Sequence, residues 1–97
     1  MNYSREISAF YDWLEANNLN AAAIALWYAL MNTAKRAGWP KQFTVSALLL
    51  MAKAGLSKSA FFRARDKLAQ LGRIAYIQQG ENLNAVYSLT YLTADIE

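Results

Sequence analysis

The sequence contains no cysteine and no histidine. Without cysteine the chain can form neither a disulfide nor a thiolate metal or redox site. Without histidine it lacks the commonest metal ligand and the commonest general base. No paired-carboxylate site replaces them in the sequence. We therefore expect no enzyme activity, no catalytic or metal-binding residues, no cofactor and no small-molecule substrate.

Long hydrophobic runs are also missing. The longest nearly apolar stretch, residues 21–31, has eleven residues, whereas a helix needs roughly 20 to cross a bilayer. The amino terminus lacks the basic and apolar segments of a secretory signal. We therefore expect a cytoplasmic protein without a membrane partner, in which residues 21–31 form a core helix.

The 97 residues, of which 56% are hydrophobic and 18% charged, have the size and composition of one folded domain. We assign residues 1–92 to this domain and residues 93–97 to a tail or the start of a linker.

The positive charge is concentrated in one segment. The net charge is only +3, but residues 44–73 carry six Lys and Arg side chains and a single carboxylate, Asp66. Residues 74–97 carry three carboxylates and no cation. Such a concentration in a near-neutral domain is typical of a polyanion-binding element. The alternative is a solvated helix face that binds nothing.

Apolar side chains at helical spacing predict two helices in the first half of the chain. The first covers residues 4–16, with Ser4 as its N-cap. The second begins after the cap Asn20 and ends at about Ala37, before a Gly-Trp-Pro sequence that cannot continue a helix. Its apolar residues cover much of the circumference, so we expect this helix to be the central one.

A short strand and a helical pair follow. Residues 42–45 predict the strand, and Ser46 is the expected N-cap of a third helix that ends at Ala54. Gly55 stands where a left-handed C-terminal residue is needed, and Ser57 stands where the next helix needs an N-cap. The predicted turn is therefore about three residues long.

The fourth predicted helix, residues 58–71, has an apolar face and is stopped by Gly72. The face that we expect to be buried consists of Phe61, Ala64, Leu68 and Leu71. After Gly72 the pattern changes to β-rich runs, which predict a hairpin with its turn at residues 79–82.

Two helices joined by a short glycine-containing turn, the second of them basic, are typical of a helix-turn-helix. The hairpin that follows makes it a winged helix-turn-helix. We therefore predict a mainly α fold with a small β-hairpin, in which the recognition helix, residues 57–71, enters the major groove of double-stranded DNA. The candidate DNA-binding residues are Ser57, Lys58, Ser59, Phe62, Arg63, Lys67 and Arg73.

The candidates differ in their expected contacts. Lys58 and Arg63 lie in the first turns of the helix and are candidates for base or phosphate contact. Phe62 is a candidate for contact with a thymine methyl group, with packing in the core or in a dimer as alternatives. Lys67 and Arg73 are candidates for phosphate contact.

Arg65 lies between the inward and outward faces, so we expect it either to pair with Asp66 or to reach phosphates from the side. The hairpin tip, residues 78–82, has no basic residue and is poorly suited to phosphate binding. Any contact from Gln79, Asn82 or Asn84 would be polar.

The aromatic and acidic residues of the helices have simpler interpretations. Trp13 and Trp27 stand at helical apolar positions, so we expect the tryptophans to fill the core rather than to stack on bases. The carboxylates Glu6, Asp12 and Glu15 have no partner nearby in the sequence, and we expect them to be solvated.

Seven blocks carry a family resemblance through their order and spacing. They are EISAFYDWL (6–14), AIALWYALM (23–31), GWP (38–40), FTV (43–45), GLSKS (55–59), RARD (63–66) and LGRI (71–74). Over residues 3 to about 90 the chain resembles the amino-terminal winged-helix domain of DnaD-like phage and prophage replication proteins of Gram-positive bacteria.

The resemblance implies a role in replication initiation, in which the winged helix binds DNA or assembles with copies of itself and other replication proteins. It also implies a further carboxy-terminal region that binds DNA or loads a helicase. The hairpin tip, which lacks basic residues, departs from the family pattern and favours assembly. The alternatives to DNA binding in replication are an oligomerisation module of a primosome-like assembly and a transcriptional repressor domain.

Overall fold

The computed structural model describes residues 1–79 and 84–93. Within them the chain forms four helices and a small antiparallel sheet of three strands. The elements are α1 (Tyr3–Ala16), α2 (Ala21–Arg36), β1 (Phe43–Ser46), α3 (Ala47–Ala54), α4 (Lys58–Gln70), β2 (Ile74–Gln79) and β3 (Asn84–Leu89). The mainly helical character and the carboxy-terminal hairpin are therefore confirmed. Most of the predicted hairpin turn and residues 94–97 of the predicted tail lie outside the described residues.

Three of the predicted N-caps are confirmed. In each, a side-chain oxygen accepts a hydrogen bond from a backbone N–H that the start of a helix would leave unpaired. The bonds run from Ala23 N to Asn20 Oδ1 (2.9 Å), from Leu49 N to Ser46 Oγ (3.1 Å) and from Ala60 N to Ser57 Oγ (3.3 Å). These caps set the starts of α2, α3 and α4.

Two predicted helix ends are wrong. The N-cap of α1 is Asn2 rather than Ser4, because Asn2 Oδ1 accepts from Arg5 N at 3.0 Å and Ser4 lies inside the helix. At the other end of the chain, α4 ends one residue early, and Leu71 is its C-cap. Leu71 is 37% exposed rather than buried, because it lies at the carboxyl end of α4 between the exposed Gln70 and Gly72, beyond the turns that pack on the core.

The hydrophobic core surrounds α2, as predicted. Seven residues of this helix are buried, among them Trp27. Phe10 of α1 stacks on Trp27 with ring centroids 5.5 Å apart, and Leu50 of α3 and Phe61 of α4 are fully buried in the same cluster. In the described part of the chain no helix is both long and apolar enough to span a bilayer.

The predicted short strand joins the hairpin. The strand order is β1-β3-β2, so β3 lies in the centre and pairs with both neighbours. Tyr87 of β3 lies opposite Phe43 of β1 and Tyr76 of β2, and its ring stacks on Phe43 at 6.0 Å. Side chains alternate between the two faces of a sheet, so this aromatic row faces the helices and the neighbouring row faces outward.

Candidate nucleic-acid interface

A turn of three residues joins α3 to α4. Gly55 adopts the left-handed conformation with φ 70° and ψ 36°, and its N–H donates to Met51 O. This conformation strains residues that carry a Cβ, which explains glycine here. Ser57 then caps α4. The predicted turn is confirmed, and it fixes where the basic helix begins.

One side of α4 is exposed along its whole length. At 100° per residue, five of the six exposed side chains of α4 fall within an arc of about 100°, on the side away from the buried Phe61, Ala64 and Leu68. The members of this exposed arc are Ser59, Arg63, Asp66, Lys67 and Gln70. We call these five residues the α4 face.

The structure brings some of the predicted site residues together and separates others. Ser59, Arg63 and Lys67 lie on the α4 face, and Lys58 is exposed at the start of the helix. Ser57 is exposed too, but its hydroxyl already accepts the capping hydrogen bond from Ala60. The cations of the site are therefore Arg63 and Lys67 on the α4 face and Lys58 at the start of the helix, about 140° and 180° around the axis from them.

Phe62 is half-buried beside the α4 face. Its ring meets Phe61 edge-on with centroids 5.2 Å apart. The guanidinium carbon of Arg65 lies 5.0 Å from the centroid of the Phe62 ring. One side of this ring is therefore occupied within the protein.

Arg65 makes neither of the two expected contacts. It is 5% exposed, and its Nη1 donates to Gln78 Oε1 and to Tyr87 Oη, both at 3.3 Å. The guanidinium carbon also lies 4.0 Å from the centroid of the Tyr76 ring. These partners belong to β2 and β3, so Arg65 joins α4 to the hairpin.

Arg73, predicted to contact phosphate, is buried at 5% exposure. Its guanidinium carbon lies 5.3 Å from the Trp13 ring centroid and 5.0 Å from that of Trp27, and Nη2 donates to Thr90 O. Burial lowers the pKa of Arg73, and the charge of Glu6 partly opposes this. This side chain is thus enclosed by α1, α2 and the end of the hairpin, away from the α4 face.

The prediction that Glu6 is solvated is wrong, whereas Asp12 and Glu15 are exposed as expected. Glu6 is fully buried. Its carboxylate accepts hydrogen bonds from Leu92 N at 2.9 Å, from Thr93 N at 3.0 Å and from Thr93 Oγ1 at 2.8 Å. The available signal was position, because residue 6 lies four before the buried Phe10 and so shares its face of α1.

These burials reduce the positive charge available at the surface. Of the six cations in residues 44–73, all of which the structure describes, Arg65 and Arg73 are buried. The exposed ones are Lys53, Lys58, Arg63 and Lys67. Lys53 donates to Thr33 Oγ1 on α2 at 3.2 Å, so the other three remain to act from α4.

Asp66 is the carboxylate of the α4 face. The hydroxyl of Tyr76 on β2 donates to Asp66 Oδ1 at 3.1 Å. Tyr76 is itself covered by the Arg65 guanidinium. The hairpin therefore holds the one negative group on an otherwise neutral or cationic face.

The outer side of the sheet and the start of α3 expose apolar side chains. Leu48 is 65% and Ile77 is 67% exposed, and Leu49 is also exposed. Ile77 lies beside Val86, which lies beside Thr44, in the row of the sheet that points away from the helices. This row is not shielded by any described element.

Comparison of the chain with protein-family models, with curated proteins and with solved structures finds no match. The candidate site is therefore defined by its geometry and charge alone. Those features are a three-residue turn, exposed cations on α4 and a hairpin attached to that helix through Arg65.

Proposed function

We propose that this chain is a DNA-binding domain of the winged helix-turn-helix type, and that the α4 face enters the major groove of double-stranded DNA. The observation that carries the proposal is the pair of cations Arg63 and Lys67 on the α4 face, with Lys58 at the start of the same helix, which directly follows a three-residue turn. A helix with its side chains is about 10–12 Å wide, which matches a major groove of about 12 Å.

The order of the elements supports this proposal. In a helix-turn-helix the first helix crosses the DNA backbone and the second lies in the groove, and α3 and α4 are the corresponding pair. The β2–β3 hairpin would then be the wing. Its attachment to α4 through Arg65 and Tyr87 would fix the angle between wing and recognition helix.

The biological role that we infer is replication initiation in a phage or prophage. The support is the resemblance of residues 3 to about 90 to DnaD-like replication proteins. On this proposal residues 1–92 form the DNA-binding domain, and other replication proteins and further copies of the chain are its partners. The role is non-enzymatic.

The proposal is tested by fluorescence anisotropy of a labelled duplex of random sequence, titrated with the 97-residue chain at several salt concentrations. Binding should be detectable at ~0.1 mM protein in ~50 mM salt, since non-specific protein–DNA contacts reach this range. Each neutralised phosphate contributes about −0.9 to the slope of log K against log salt, so three contacts give a slope of about −3. Absence of binding under these conditions would overturn the proposal.

A matched pair of variants locates the interface. One variant replaces Lys58, Arg63 and Lys67 with Ala, and the other replaces the exposed Lys35, Arg36 and Lys41, which lie outside α4. Both remove three positive charges. We expect the first to abolish most of the binding and the salt slope, and the second to retain the slope. Equal losses would mean that α4 is not the interface.

A second candidate function is self-association as an oligomerisation module. The observation in its favour is the exposure of the apolar side chains Leu48, Leu49 and Ile77. Sedimentation velocity of the chain with and without duplex distinguishes the two functions. Concentration-dependent oligomers without DNA, together with no binding to duplex, would favour assembly over DNA recognition.

A further inference from the structure

We propose that Asp66 determines the sequence specificity of the α4 face by accepting a hydrogen bond from a cytosine base. The inference rests on the DNA-binding function proposed above and adds a selectivity to it. Asp66 is the only carboxylate among residues 44–73, and it is exposed on the α4 face.

The position of Asp66 is unfavourable for a surface that only attracts phosphate. Arg63 lies three residues before it and Gln70 four residues after it, so all three share one side of the helix. A carboxylate at this place repels the phosphate backbone and weakens non-specific attraction. In a complex with DNA this repulsion is offset only where the carboxylate meets a hydrogen-bond donor of a base.

The hairpin fixes the orientation of the carboxylate. Tyr76 Oη donates to Oδ1 of Asp66 at 3.1 Å, and the Tyr76 ring is held by the guanidinium of Arg65 at 4.0 Å. Arg65 is buried and bonded to β2 and β3. The carboxylate is thus oriented before DNA arrives, which reduces the entropy lost on binding.

The chemistry of base edges then selects cytosine. In the major groove guanine presents two acceptors and thymine an acceptor and a methyl group, so neither donates to a carboxylate. Adenine presents a donor next to the N7 acceptor, which suits an amide better than a carboxylate. The cytosine N4 amino group is a donor and fits Asp66. Arg63, one turn away, has the donors for guanine.

The experiment is selection from a library of random-sequence duplexes, made in parallel with wild type, Asp66→Asn and Tyr76→Phe. Wild type should select a motif in which one position is cytosine, preferred about tenfold or more over other bases. Asp66→Asn should lose this preference while keeping the rest of the motif, and should bind unselected duplex more tightly than wild type. Tyr76→Phe should keep the cytosine position with a weaker preference.

The matched control is Asp12→Asn, which removes an exposed carboxylate from α1 and should leave the selected motif unchanged. A motif that Asp66→Asn shares fully with wild type would overturn the inference. Binding of wild type to DNA without any selected motif would also overturn it while leaving the proposed function intact. No binding of wild type to duplex at ~0.1 mM protein and ~50 mM salt would overturn both the inference and the proposed function.

Discussion

The carboxylate of Glu6 accepts a 2.8 Å hydrogen bond from the hydroxyl of Thr93, although 87 positions separate the two residues. The same carboxylate accepts from the backbone N–H groups of Leu92 and Thr93. Within the described ranges, these are the hydrogen bonds between α1 and the segment after β3. All of them are accepted by a single buried side chain.

Replacing Glu6 with Ala should lower the free energy of unfolding by about 3 kcal/mol, because half-buried donors would lose a charged acceptor. Glu15→Ala, on an exposed position of the same helix, should change it by less than about 0.5 kcal/mol. Urea unfolding followed by circular dichroism measures both. Similar values for the two variants would show that the Glu6 contacts contribute nothing to stability.

Substitution of Arg65 should lower the stability of the fold, whereas substitution of Arg63 should leave it unchanged. Arg65→Lys keeps the charge but loses the planar stacking on Tyr76 and the two hydrogen bonds, so it should destabilise the fold by about 1–3 kcal/mol. Arg63→Ala, on an exposed position, should leave the urea midpoint unchanged. If Arg65→Lys unfolded at the wild-type midpoint, the guanidinium would not be what joins α4 to the hairpin.

Three buried or half-buried tyrosines should make the fold sensitive to alkali. Burial, with a smaller effect of the charge of Glu6, raises the pKa of Tyr91 to about 12, against about 10 in an unfolded chain. Between these values the folded state retains a proton that the unfolded state has lost, so stability falls as pH rises above 10. Burial also raises the pKa values of Tyr28 and Tyr87, which adds to the loss.

The contribution of Tyr91 is measured with Tyr91→Phe. Its hydroxyl is buried and has no hydrogen-bond partner among the described residues, so the variant should be at least as stable as wild type at pH 7 and lose less stability between pH 10 and 11. Urea midpoints at pH 7, 10 and 11 give the comparison. If the urea midpoint of the variant fell with pH as steeply as that of wild type, the loss of stability would not come from Tyr91.

Arg63→Ala should weaken binding to duplex DNA more than Lys41→Ala, although each removes one positive charge. Arg63 lies on the α4 face, where a base or phosphate contact is worth about 1–3 kcal/mol. Lys41 is exposed outside α4 and contributes only long-range attraction, which salt screens within about 10 Å at 0.1 M. Anisotropy titrations at two salt concentrations measure the difference. Equal losses that both vanish at high salt would favour the assembly function instead.

The sequence by itself determined the features that depend on neighbouring residues. Asn20, Ser46 and Ser57 cap their helices as predicted, and Gly55 takes the left-handed conformation that the turn requires. Each of these features involves residues at most four positions apart. Composition and local propensity were therefore sufficient for α2, α3, the turn and most of α4.

The pairing of strands that are distant in the sequence was harder to predict. The short strand β1 was predicted, but its place beside β3 was not, because strand pairing depends on residues about 40 positions away that local periodicity does not contain. The prediction of Ser4 instead of Asn2 as the α1 cap failed for a local reason. Both residue types cap well, so local preference could not decide between them.

Only the tertiary structure decided which charged side chains are buried and which are exposed. From the sequence we expected solvated or DNA-facing side chains at three positions that are buried, namely Glu6, Arg65 and Arg73. A charge can be buried only where hydrogen-bond partners or aromatic faces compensate for lost water, and here those partners come from distant elements. The sequence thus located the basic segment, while packing decided that Lys58, Arg63 and Lys67 are the cations that α4 presents to solvent.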